Sequence, residues 1–137
     1  MRIGIDCRCL TRRPTGVSKL LADMVIAIRT YLPEWELFLM APSDFHEAVL
    51  PLCGEKVVKV ICPLPVFNKH LIWYNTEYIR QCLKHKVDIM WTPAPARPLF
   101  VPSSILQFVC VNDVVSKEYK STQSLHNKLI GQSGFDA

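Results

Sequence analysis

The sequence predicts an open, parallel, doubly wound α/β sheet with helices on both faces. Three observations lead there. Short apolar runs alternate with segments of helical period along the chain. "ELFLMA" (36–41) is apolar after its first residue, as a strand covered on both faces must be. The connections are long enough to hold helices, and helical crossovers join parallel strands. A length of 137 residues suits one domain, read here as residues 1–120 followed by a polar tail, 121–137.

Residues 2–6, "RIGID", form the first strand. Residues 7–15 are a loop closed by Pro14, and Thr15 is placed to cap a helix. Val17, Leu20, Leu21, Met24, Val25, Ile28 and Leu32 then recur on one helical face, and Pro33 stops the helix. The second strand is 36–41, and 44–52 is a short helix. "KVVKVIC" (56–62) is a third strand, ended by Pro63 and Pro65. A long helix runs over 69–85 with two adjacent apolar stripes, Leu71, Tyr74, Tyr78, Cys82 and Ile72, Ile79, Leu83. "VDIMWT" (87–92) and "ILQFVCV" (105–111) are the fourth and fifth strands, separated by the proline-rich "PAPARPLFVP". A weak helical pattern covers 123–131, and the closing "GQSGFDA" has no periodicity.

Half of the residues are apolar, so a core can form, and the net charge of +4 is mild. Basic residues are spread along the chain except for Arg8, Arg12, Arg13 and Lys19 near the first turn. That cluster suits a small anionic ligand better than nucleic acid, which needs a wider basic stripe. No secretory apolar region follows Met1-Arg2, and no run approaches the ~18–20 residues of a membrane helix. The expected location is cytoplasmic. The charge permits contact with the inner membrane face, although no amphipathic basic helix marks it. The six cysteines then read as reduced thiols. Cys7 and Cys9 lack the spacing of a zinc pair, and the four histidines form no metal pattern, so no metal is expected.

In an open α/β sheet ligands bind beyond the carboxyl ends of the strands. Loops 7–16, 93–104 and 112–120 meet there. The first delivers Thr15, Gly16 and Val17 to a helix start, where free N–H groups and the helix dipole favour an anion. Equally, Gly16 can serve only to ease a tight turn. Neither G-x-G-x-x-G nor a P-loop is present. Trp73, Tyr74 and Tyr78 could stack on a sugar, but at helical spacing they fit better as packing against the sheet. Glu47 and Glu55 read as a solvated pair.

"RIGIDCRCLTRRPTGVSKLLADMV" resembles the opening of the family 4 glycosyltransferases, which have the two-domain GT-B fold. "WELFLMAP", "IWYNTEYIRQCLKHKVDIMWTPAPARPL" and "ILQFVCVNDVV" are similar to that family's later segments, in the same order. The resemblance covers residues 2–120. It implies an amino-terminal, Rossmann-like, acceptor-side domain of an enzyme that moves a sugar from a nucleotide-sugar to an acceptor hydroxyl. Transfer in the family retains the anomeric configuration, usually without a metal ion, and the nucleotide-sugar is a substrate rather than a cofactor. On this likeness Thr15, Gly16, Val17 and Arg12 would face the donor diphosphate. Arg97 would contact a glycan or lipid-linked acceptor. Asn112-Asp113 would stand at the family's His-Asp, beside the reacting sugar, where asparagine cannot take a proton. The family's E-x7-E pair belongs to a donor-binding domain with no counterpart in these 137 residues. The chain alone is therefore expected to be inactive and to need such a domain, in the same chain or as a partner. The rival readings are a non-catalytic split subunit, a binding module for a small phosphorylated ligand, and a gene fragment.

Overall fold

The computed structural model describes residues 1–13, 16–63, 70–93 and 98–110. Five strands form one all-parallel sheet in the order β3-β2-β1-β4-β5. They are β1 (Arg2–Asp6), β2 (Glu36–Ala41), β3 (Val57–Ile61), β4 (Ile89–Thr92) and β5 (Leu106–Val109). The doubly wound α/β fold expected from the alternation of strands and helices is the fold observed. From β1 the chain steps outward to β2 and β3, then returns across the sheet to β4 and β5. The order therefore reverses between β1 and β4, the topological switch point.

Helix α1 (Gly16–Tyr31) covers one face. Leu21 and Val25 pack there against Ile3, Ile5, Leu37, Leu39 and Trp91. Val17 and Leu20, expected on this stripe, are exposed, and Ser18 is buried in their place. The face of the helix turned inward runs through Ser18, Leu21 and Val25, which leaves Val17 and Leu20 on its flank.

The other face is covered by α2 (His70–Trp73), a π turn (Tyr74–Tyr78) and α3 (Ile79–Lys84), which run on without a break. The expected single helix with two stripes is corrected here. A π turn inserts one residue into the helical repeat, so adjacent residues on each side of it reach the core. Trp73 and Tyr74 are buried where the turn begins, Tyr78 and Ile79 where it ends, with Cys82 one turn further on. Leu71, Ile72 and Leu83 are exposed. Gly4 permits the close approach of α3, because a Cβ there would meet Cys82 Sγ at 3.0 Å and Val87 Cγ2 at 3.2 Å.

The expected helix at 44–52 is a 3-10 turn (Glu47–Leu52), begun by His46, whose ring nitrogen accepts from the Ala48 N–H. The fifth strand is shorter than expected and is not buried: Leu106 and Phe108 are 68% and 52% exposed. β5 lies at the edge of the sheet, beyond the part that Leu21 and Val25 of α1 pack against. Between α1 and β5 runs an open apolar groove of about 460 Å³, walled by Met24, Ile28, Trp35, Ile89, Leu106 and Phe108. No described helix is long and apolar enough to cross a membrane.

Candidate functional site at the carboxyl end of β1

The loop that leaves β1 at the switch point is fixed from its first residue. The Cys7 N–H donates to the Met40 carbonyl at 2.8 Å, extending the β1–β2 ladder by one residue. A 3-10 turn (Arg8–Thr11) follows and seats Leu10 in the core. The Leu10 carbonyl accepts from the His46 N–H at 2.9 Å, tying this loop to the one after β2.

Asp6, the last residue of β1, is buried, and its side chain lies on the face of the sheet covered by α2 and α3, the face on which Gly4 makes room for Cys82. Its Oδ1 accepts from the Arg8 backbone N–H at 3.1 Å and from Arg8 Nε at 3.0 Å; its Oδ2 accepts from Arg8 Nη2 at 3.0 Å. The Tyr74 hydroxyl donates to Oδ2 at 2.5 Å and itself accepts from Arg8 Nη2. The guanidinium lies 3.8 Å above the Tyr74 ring centroid and 5.4 Å from that of Trp73. A buried carboxylate and a nearly buried guanidinium are thus paired in two places and roofed by aromatic faces. Burial works against the Arg8 cation, but Asp6 and Tyr74 outweigh it and hold its pKa above the ordinary value. Burial, reinforced by the Asp6 charge, pushes the Tyr74 phenol well above its usual range, so it stays a donor. Burial also pushes the Cys9 thiol up to about 11, which makes it a poor nucleophile at neutral pH.

This cluster changes how the basic residues near the first turn are counted. Arg8 is neutralised by Asp6 and is not available to an external anion. Arg12, Arg13 and Lys19 are exposed and remain free to face one. Gly16 opens α1 with φ +33, and no heavy atom outside its neighbours lies within 4 Å of where a Cβ would stand. The positive φ is reason enough for glycine at this position. It also leaves the first turn open to approach. Val17 is exposed beside it.

Of the site residues expected from sequence, the structure places Arg12, Gly16 and Val17 on the loop and helix start beyond β1. Thr15, Arg97, Asn112 and Asp113 lie outside the described residues. Trp73, Tyr74 and Tyr78 are buried, as the packing reading held. Trp73 stacks on Tyr78 at 5.1 Å between centroids. The Tyr78 hydroxyl lies 3.0 Å from both the Gly4 and the Trp91 carbonyls, bridging β1 and β4 at the switch point. Glu47 and Glu55 are exposed. Among the described residues no group of three or more histidine, cysteine or acidic side chains is arranged to hold a metal.

Sequence reasoning missed the Asp6–Arg8–Tyr74 cluster. Its one signal was an acidic residue ending an otherwise apolar strand, with an arginine two positions on. Tyr74, 68 residues away from Asp6, carries no mark in the sequence that links it to them. No family model, curated protein or solved structure matches the chain.

Proposed function

We propose that the chain is the amino-terminal, acceptor-side unit of a retaining glycosyltransferase. In this reading the loop after β1 forms one wall of a cleft whose other wall is a donor-binding domain. The observation that carries the reading is the reversal of strand order between β1 and β4. It sets the β1–α1 loop at the place where doubly wound sheets receive ligands. The open first turn of α1 and the exposed Arg12 and Arg13 suit the diphosphate of a nucleotide-sugar, whose leaving group gains negative charge during transfer. The buried Asp6–Arg8–Tyr74 cluster holds the first turn of that loop, Arg8–Thr11, in place before any ligand arrives. A nucleotide-sugar and a glycan or lipid-linked acceptor are the substrates in this reading. Asn112 would position rather than exchange protons.

The test is amide NMR of the full chain titrated with a nucleoside diphosphate. Shifts centred on Gly16, Val17 and Ser18, abolished by reversing the charge of Arg12 and Arg13, would support a phosphate-facing loop. Absence of any shift at millimolar ligand would defeat it. Sugar transfer is expected only when a donor-binding domain is supplied. Tight binding of a phosphorylated ligand without transfer under any pairing would favour the free-standing binding module.

A further inference from the structure

Helix α1 covers only part of its face of the sheet. Beside it lies the apolar groove, whose inner walls are Met24 and Ile28 of α1, Trp35 and Ile89. None of the residues lining it is charged. Among the described residues it stays open to the outside. The opposite face of β4 is closed, because Val101 and Ile105 pack there with Met90. The chain leaves β5 on the groove's side of the sheet. Side chains alternate between the faces of a strand, and Cys110 follows Phe108 on the α1 face. It packs with the core under α1, and its Sγ accepts from Trp91 Nε1 at 3.2 Å.

Residues 111–137 follow directly from Cys110 and lie outside the described residues. Within them, 123–131 is the stretch whose sequence has a weak helical period. At that period Leu125 and Leu129 stand one turn apart with Ile130 beside them, and Ser124, Asn127 and Lys128 fall on the other side. We propose that residues 123–131 form a helix that lies in the groove beside α1, with Leu125, Leu129 and Ile130 against Met24, Ile28, Trp35 and Ile89. The stripe matches an uncharged groove, and Lys128 is left facing water. The reach is sufficient. Residues 111–122 span up to about 40 Å when extended, whereas the start of β5 is only about 13 Å of strand from Cys110. The direction also fits. A segment returning from the end of β5 runs against the strands, as α1 does between the parallel β1 and β2, and so enters the groove alongside α1. A tethered segment is held near its site at millimolar effective concentration, an advantage that no free molecule of the same chemistry has. Docked there, it makes the covering of this face two helices wide, in keeping with parallel sheets, which are covered on both faces. Leu106, on the outer rim, stays largely in water.

Methyl-to-ring NOE spectroscopy of the full chain tests this. NOEs are expected from the methyls of Leu125, Leu129 or Ile130 to the Trp35 ring and to the methyls of Met24 and Ile28. Leu129→Lys should remove them and raise the unfolded-to-folded ratio in urea at least about tenfold, the effect of giving up the burial of one leucine. Ser124→Lys, on the other side of the segment, should leave both readings unchanged. The absence of any NOE between 123–131 and the groove overturns the proposal. NOEs to Val101 or Ile105 overturn it too, because they would set the segment on the opposite face. So do NOEs seen only between labelled and unlabelled copies in a mixed sample, which would make a second copy the occupant. Equal losses from Leu129→Lys and Ser124→Lys would mean that no one side of the segment is buried, and overturn it as well.

Discussion

At the centre of the sheet, where β1 meets β4, Asp6 accepts from Arg8 and Tyr74, and the Tyr78 hydroxyl reaches across two strands. One strand further out, β5 leaves Leu106 and Phe108 in water and carries no charge. The same chain treats polarity in opposite ways within a short distance. At the centre a buried charge is tolerable only with its partner and several hydrogen bonds in place. At the edge an apolar side chain costs little by itself.

The comparison fails if the centre proves no more sensitive than the edge. The largest effect is expected from Asp6→Ala, which strands the Arg8 guanidinium under its aromatic roof. Urea unfolding should show a loss of about 3–5 kcal/mol, the usual result of breaking a buried pair. Tyr74→Phe keeps the ring beneath Arg8 but removes the hydroxyl; a loss of about 1–3 kcal/mol is expected. If Tyr74→Phe were neutral, packing rather than hydrogen bonding would be what holds the loop.

Alkali should sharpen the same contrast. Burial raises Tyr74 and Tyr78 well above their ordinary values, and raises Cys62 to about 11 and Cys82 to about 12. Above the unfolded values, about 8.5 for thiols and about 10 for tyrosine, the unfolded chain releases protons that the folded one keeps. The unfolded state then binds fewer protons, so stability is fully present below pH ~8.5 and falls as pH rises, by up to ~1.4 kcal/mol per pH unit for each group. Thermal melts from pH 7 to 11 should trace this decline, and Tyr78→Phe should make it shallower. Substitutions in β5 should leave the slope unchanged. The smallest effect belongs to Leu106→Ser, expected to shift unfolding by less than about 1 kcal/mol because the side chain is mostly in water already.

Elements whose residues carry their own instructions were readable in advance. β1, β2 and the limits of α1 followed from apolar runs, Gly16 and Pro33. What escaped depended on relations between distant residues. The apolar run around Phe108 reads as a strand; only the order of the strands reveals that it stands at an edge. The spacing of Tyr74 and Tyr78 fits an unbroken α-helix as well as it fits a π turn, and only the simultaneous burial of Trp73, Tyr74, Tyr78 and Ile79 separates the two. Arg8 looked like an anion ligand until its pairing with Asp6 became visible.

The π turn gives the fold a fixed phase that local stability does not enforce. Each residue of an α-helix advances the side chains by about 100°. Deleting Asn75 would relax the segment to an ordinary helix, which the chain could form without difficulty. Everything beyond the deletion would then turn by that angle relative to what precedes it. Either Trp73 and Tyr74 would keep their places over Arg8, or Tyr78 and Cys82 would keep theirs over Gly4, but not both. The extra residue therefore works as a timing mark, setting the part of the helix that faces the β1 loop against the part that faces the middle of the sheet.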